Sequence, residues 1–344
     1  MPAFFALPAD WGRRHGHGLL LTAILAIVAL LLGHLLPRIG APVFGIVLGI
    51  AVRHVLAPGA AFDAGIRFGS RQILQWSIIA LGFGLSLADV LRTGLESLSV
   101  TLVTITVAFV SAWALGRWLR VQGKLTLLIG VGTAICGGSA IAAVTPILKP
   151  DDHDTALAIS TIFLFNVVAV LLFPLLGHLL QMSDTGFGLW AGTAINDTSS
   201  VVAAGYAYSD LAGGYATIVK LTRSTLIIPI CLVLALVMAA LAKRRSVTDA
   251  GSGGFRLGAL FPWFILWFLV ASGLRTAGWV PSAALPVLQG LAEVLIVFAL
   301  SAIGLSANLR RMAAAGIRPI ALGLGVWVAV AASSLLVQYV SGQL

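Results

Sequence analysis

Lys220 and Arg223 are the residues whose type and setting most plainly call for chemistry. Both lie in the run Tyr215-Ala-Thr-Ile-Val-Lys-Leu-Thr-Arg-Ser-Thr-Leu-Ile-Ile-Pro229, which is otherwise apolar or small. A charge at the centre of a bilayer costs about 2.5–3.5 kcal/mol on insertion scales, so such a residue generally faces a partner, a cavity or a substrate. Spaced i and i+3, the two cations share one helix face, a pattern suited to holding an anion. The plainer alternative is a span that starts later, with both side chains snorkelling to the interface.

Two further segments resemble each other and gather the other intramembrane polar groups. They are Gly132-Thr-Ala-Ile-Cys-Gly-Gly-Ser-Ala-Ile-Ala-Ala-Val144 and Gly192-Thr-Ala-Ile-Asn-Asp-Thr-Ser-Ser-Val-Val-Ala-Ala204. Gly137-Gly138 and Asn196-Asp197-Thr198 are poor continuous helix, because glycine and short polar side chains favour turns and caps. Irregular backbone at membrane depth survives only where it lines a cavity or is buried in protein. Each segment therefore reads as a broken helix or a re-entrant turn. The N–H groups at the start of a half-helix would make an anion site, with hydroxyls from Ser139, Thr198, Ser199 and Ser200 beside them. Small-residue helix packing explains Gly137 and Ser139 equally well, but not the carboxylate of Asp197. That acid either pairs with Lys220 or Arg223, or titrates and carries a coupling proton. Glu293 is a second candidate for coupling. Asn166 either lines the same cavity or serves as inter-helix glue.

The elements that must position these residues are membrane helices. Of 344 residues, 59% are hydrophobic and 10% charged, with a mean hydropathy of +1.04. A soluble domain carries about a quarter charged residues. Eleven candidate spans follow: Leu19–Leu36, Ala41–Leu56, Ile73–Ala88, Leu98–Leu115, Leu125–Leu148, Thr155–Leu180, Phe187–Tyr206, Tyr215–Ala242, Leu260–Leu274, Leu285–Ala307 and Ile317–Val340. The first lacks a small-residue cleavage site and reads as a retained helix. With the N-terminus cytoplasmic, fifteen basic residues fall in cytoplasmic loops and four (Arg38, Arg92, Lys149, Arg275) on the opposite side. This is the positive-inside pattern. The net charge of +9 then reports orientation, with the C-terminus outside, and nucleic acid is not implied. The chain reads as one all-α integral membrane transporter domain, residues 1–344, with a cytoplasmic segment at 1–18 and a cytoplasmic linker at 243–258. A weaker echo joins Gly84-Leu-Ser-Leu to Gly304-Leu-Ser-Ala, in helices of opposite direction, as in inverted-repeat transporters.

Other chemistry is thin. Cys136 and Cys231 both fall inside spans, with no Cys-X-X-Cys spacing. Asp151-Asp152-His153-Asp154 sits in a tight loop, where Asp154 is placed to cap the sixth helix. No phosphate-binding loop or hydrolase motif occurs, and no cofactor or metal is expected. The runs Cys136-Gly-Gly-Ser-Ala-Ile-Ala-Ala143, Asn196-Asp-Thr-Ser-Ser-Val-Val-Ala-Ala204 and Lys220-Leu-Thr-Arg223 resemble the YeiH-like bacterial membrane proteins, often labelled sulfate exporters. That resemblance implies a bacterial inner-membrane transporter, distantly similar to the bile-acid/sodium symporter and sodium/proton antiporter group with its broken crossing helices. Together these readings predict a secondary transporter of a small anion, with sulfate or an organic sulfonate as the candidates, coupled to protons or sodium. Lys220 and Arg223 would bind the anion with Ser139, Gly137, Gly138, Asn196, Thr198 and Ser199; Asp197, Glu293 and Asn166 would serve the coupling ion. The competing readings are a cation/proton antiporter with its ion on Asp197, and a passive channel or sensor. A homo-oligomer is compatible with either.

Overall fold

The computed structural model describes residues 11–36, 41–244, 263–307 and 316–343. All regular structure among them is helical: α1 (Trp11–Leu35), α2 (Ala41–Val55), α3 (Ala60–Phe68), α4 (Leu74–Gly82), α5 (Leu87–Trp118), α6 (Gly123–Ala134), α7 (Gly138–Leu148), α8 (Asp152–Leu179), α9 (Asp184–Ala194), α10 (Thr198–Tyr208), α11 (Asp210–Thr225), α12 (Ile227–Arg244), α13 (Trp263–Thr276), α14 (Leu285–Ser306) and α15 (Ile317–Ser341). Six stretches are long and apolar enough to cross a membrane: Arg14–Leu35, Leu87–Trp118, His153–Leu179, Asp210–Leu234, Ser282–Ser306 and Ile317–Ser341. The chain divides into two compact units, one of residues 1–88 and 266–308, the other of residues 89–265 and 309–344.

In the first unit, α2 and α14 cross closely at Gly49 and Gly304. A Cβ on Gly304 would stand 2.9 Å from the Gly49 Cα, so neither position has room for a side chain. The third predicted span is longer than expected. A π-turn at Gly69–Ile73 joins α3 to α4, so Arg67 and Arg71 lie within helical structure rather than in a loop.

The second unit holds the two motif segments, and neither is a single crossing. Helices α6 and α7 fold back on each other: the Lys124 ammonium donates to the Lys149 carbonyl at 2.6 Å. Two arms of about 18 Å each would put those residues far apart if the segment ran straight through. Gly137 makes the reversal, with φ +71° and ψ −128°, a conformation that a residue bearing a Cβ strongly disfavours. Helices α9 and α10 form a second hairpin, closed at its base by Ser209 Oγ donating to Asp184 at 2.6 Å and Tyr208 stacked on Phe187. Here the turn is the extended Ile195-Asn196-Asp197, and Asp197 caps α10.

The hairpins enter from opposite ends. The base of the first adjoins the start of α8 and of α15, where Gln122, Leu125, His153, Asp154 and Arg318 line a small cavity. The base of the second adjoins the end of α8, where His178 stacks on Tyr208. Each tip therefore reaches about halfway along α8. The sixth predicted span is α8, whose N-cap position is held by Asp151 without a side-chain capping bond; Asp154 is buried within its first turn. The eighth span is interrupted at Leu226, between α11 and α12. Residues 245–258 of the predicted linker lie outside the described residues.

This topology makes a labelling prediction. With the two native thiols buried, Lys124→Cys and Lys149→Cys should react with an impermeant thiol reagent from the same face of the membrane. Cysteines at Asp184 and Ser209 should both react from the other face. Opposite-side labelling of positions 124 and 149 would contradict the hairpin.

Candidate functional site

The two hairpins match residue for residue at an offset of sixty positions. Helices α7 and α10 have corresponding bounds, and Gly132-Thr-Ala-Ile135 corresponds to Gly192-Thr-Ala-Ile195. The shared tetrapeptide ends the first arm of each hairpin, so its carbonyls are those that an α-helix leaves without N–H partners.

Lys220 and Arg223 take up these carbonyls. Lys220 Nζ donates to Ile135 O at 2.7 Å and to Ile195 O at 2.9 Å. Arg223 donates through Nε to Ala134 O at 2.7 Å, through one terminal nitrogen to Thr133 O at 2.7 Å, and through the other to Thr193 O. Equivalent residues of the two hairpins thus meet one cation each: Ile135 and Ile195 at Lys220, Thr133 and Thr193 at Arg223. Both cations are fully buried, so the snorkelling alternative does not apply. Each sits at the negative ends of two helix dipoles, where a cation is favoured. Helix α11 comes close enough to deliver them because the second hairpin is glycine-lined on that side. A Cβ on Gly205 would fall 2.8 Å from the Gly213 Cα, and one on Gly192 2.7 Å from Val219.

The positive ends of the other two half-helices meet on the far side of the same crossing. At α10, Asp197 accepts from Ser199 N at 3.0 Å and from the Ser199 hydroxyl. At α7 no side chain caps the helix. The tips touch here: a Cβ on Gly137 would lie 3.5 Å from the Asp197 Cβ. Gly138, Asp197 and Thr198 are half-buried and Ser139 is exposed, whereas Ser200 and the rest of α10 as far as Gly205 are buried. Among the described residues Asp197 makes no ion pair with Lys220 or Arg223.

Asn166 stands on the same face of α8 as Ile162 and Phe163, which touch Gly137 and Gly138. Its Oδ1 accepts from Asp197 N at 3.2 Å, and its buried amino group has no partner among the described residues. Asn196, 1% exposed, leaves both ends of its amide unpaired. Buried amides are normally satisfied, and an exception is informative at a candidate site. Lys220, Arg223, Asp197, Asn166, Asn196, Ser139, Gly137, Gly138, Thr198 and Ser199 therefore belong to one crossing. Glu293 belongs to the other unit, on an exposed part of α14 beside Leu291 and Val294. The sequence reading missed the carbonyls of Thr133, Ala134, Ile135, Thr193 and Ile195. The repeated Gly-Thr-Ala-Ile was their signal.

Removing a buried donor leaves its acceptors unsatisfied, at about 1–3 kcal/mol each. Lys220→Met should therefore lower the melting temperature of the detergent-solubilised protein by several degrees, and Arg223→Met by more, since it strands three carbonyls. A wild-type melting temperature in Lys220→Met would contradict the bridging role.

The comparisons with known proteins agree with a membrane chain of this length. A family model described as conserved hypothetical protein 698 matches residues 17–323. A UPF0324 membrane protein of Clostridium tetani is 39% identical over 340 residues, covering 96% of this chain and 99% of that protein. A UPF0324 membrane protein of Streptococcus agalactiae is 42% identical over 334 residues, covering 94% and 97%. Another, of Streptococcus pyogenes, is 45% identical over 329 residues, covering 93% and 96%. The chain belongs to this conserved hypothetical protein 698, or UPF0324, family of bacterial multi-pass membrane proteins.

Proposed function

We propose that this protein is a secondary active transporter of a small anion, working by alternating access around the crossing of its two hairpin tips. The observation that carries the reading is a charge imbalance. Each half-helix end contributes about half an elementary charge, so two carbonyl ends and two N–H ends cancel. The side chains then decide: two basic groups, Lys220 and Arg223, meet one acid, Asp197, and this excess of basic groups invites an anion. The uncapped start of α7, with Gly138 and Ser139 accessible, offers the donors. In this reading Lys220 and Arg223 hold the tips together and supply the field, while the α7 N–H groups, Ser139 and Asn166 touch the substrate. Asp197 carries the coupling charge; Glu293, exposed on the other unit, has no part at this crossing.

The opposed hairpins support an inverted-repeat transporter architecture, in which binding sites lie near mid-membrane between repeats. Read this way, the chain makes nine crossings and has two re-entrant hairpins. Lys149 moves to the same side as Lys124, so, leaving out Arg67 and Arg71 within helical structure, fourteen basic residues fall on the cytoplasmic side and three (Arg38, Arg92, Arg275) opposite. The shift strengthens the case for a cytoplasmic N-terminus and an inner-membrane location. The resemblance to YeiH-like proteins makes sulfate and organic sulfonates the first substrates to try. A second reading, cation/proton antiport, draws on one observation: Asp197 is half-buried and, among the described residues, free of an ion pair.

Purified protein screened by thermal shift against small anions should give a hit, weakened about tenfold in apparent affinity by Asn166→Ala. That corresponds to one hydrogen bond to a charged group, about 1.5 kcal/mol. In proteoliposomes the same anion should move under an imposed proton or sodium gradient. Proton-linked sodium flux with no anion requirement would favour the second reading, and no flux under any gradient would contradict both.

A further inference from the structure

Three helices begin around the cavity at the base of the first hairpin. Helix α6 starts at Gly123, α8 at Asp152 and α15 at Ile317, and no side chain at the N-cap position caps any of them. The cavity, of about 200 Å³, takes its polar lining from these starts: Gln122, His153, Asp154 and Arg318. All four belong to the second unit. The cavity stands at the level of a membrane surface, because α8 and α15 contain two of the long apolar spans and these are their first turns. Trp118, 77% exposed and just before the lining residue Val121, fits that level, since tryptophan favours the membrane–water interface.

Uncapped helix starts do not make a site by themselves. Asp154 is the independent observation. It is 6% exposed and lines the cavity, yet among the described residues its carboxylate has no hydrogen bond and no ion pair. The positive end of α8 makes an acid tolerable in that first turn. No side-chain donor reaches the carboxylate, however, and a buried polar group without a partner is costly and rare. Arg318 lines the same cavity and does not pair with it. Acid and guanidinium thus share one cavity with neither satisfying the other. A simple anion would meet Asp154 there, and a metal ion would meet Arg318 and three positive helix ends. A ligand carrying both signs suits the lining.

We propose that this cavity binds the headgroup of a phosphatidylethanolamine from the surrounding bilayer. Arg318 and the free N–H groups of the helix starts take the phosphodiester, and Asp154 takes the ammonium. His153 and Gln122 add side-chain donors. Val121, Leu125 and Leu157 give the cavity an apolar side for the upper acyl chains. Basic pockets between membrane helices hold lipid headgroups in this way, and the acid adds selectivity for an amine. The bound lipid joins the base of the first hairpin to α8 and α15, and nothing in this binding depends on what the hairpin tips hold.

The test is a thermal-shift titration of the full-length protein in detergent with three lipids of identical short acyl chains. Phosphatidylcholine keeps the phosphodiester, but its methylated ammonium donates no hydrogen bond, and phosphatidylglycerol has no ammonium. Phosphatidylethanolamine should raise the melting temperature, with an apparent affinity about tenfold above either of the others, as one hydrogen bond to a charged group supplies. Asp154→Asn should bring it down to the level of phosphatidylglycerol. Arg318→Gln should weaken all three lipids, each variant being read against its own lipid-free melting temperature. A merely structural Asp154 would shift that baseline without changing headgroup preference. Equal binding of the three lipids by the wild type, or stabilisation by none of them, would overturn the proposal without any variant having to fold. So would an unchanged preference in Asp154→Asn. Glycerophosphoethanolamine, the headgroup without its chains, should stabilise the protein far less. A shift as large as the lipid's would overturn the lipid assignment in favour of a soluble zwitterion.

Discussion

Interrupting a helix in the middle of a membrane strands backbone groups that neither lipid nor water can satisfy. This protein does so twice at one place, and two buried cations resolve the carbonyl half of the problem. Lys220 and Arg223 each reach carbonyls on both hairpins. The tips are thus tied to each other as well as to α11. Much of the second unit follows from that clasp. The glycines at 192 and 205 admit α11 to within reach, and Gly137 provides a reversal that other residues resist. The arms on either side pack as ordinary apolar helices.

The N–H half of the problem is solved unevenly, and the unevenness is where function enters. Position 137 is glycine and its counterpart 197 is aspartate, so one half-helix has a charged cap and the other has none. Two matched hairpins with mismatched tips leave positive potential exposed at α7 and a carboxylate beside it. Under the proposed transport role, the open helix end would take the substrate anion and the carboxylate the coupling charge.

Much of this was legible in the sequence. Composition and hydropathy identified the membrane class, and the paired cations, the repeated Gly-Thr-Ala-Ile and Asp197 marked the residues that gather at the crossing. Two things were hidden, each for a physical reason. A hairpin and a broken crossing helix have the same composition, because both need glycine and polar residues at mid-membrane. The contacts at the hairpin bases, Lys124 with Lys149 and Ser209 with Asp184, separate them. The acceptors for Lys220 and Arg223 were hidden because carbonyls belong to every residue and leave no side-chain signature. With the fifth and seventh segments counted as single crossings the two motifs would run parallel, whereas opposed hairpins run them in opposite directions. The third span was misjudged for a different reason. Arg67 and Arg71 read as loop charges, yet helical structure continues through them.

The central claim is that the two cations hold the tips while the anion rests on the start of α7. An experimental structure of the protein with selenate, located by its anomalous signal, tests this most directly. The account predicts selenate on the Gly138 and Ser139 N–H groups near Asn166, with Lys220 and Arg223 still on the carbonyls of residues 133–135, 193 and 195. Selenate bound directly by Lys220 or Arg223, with those carbonyls released, would contradict it.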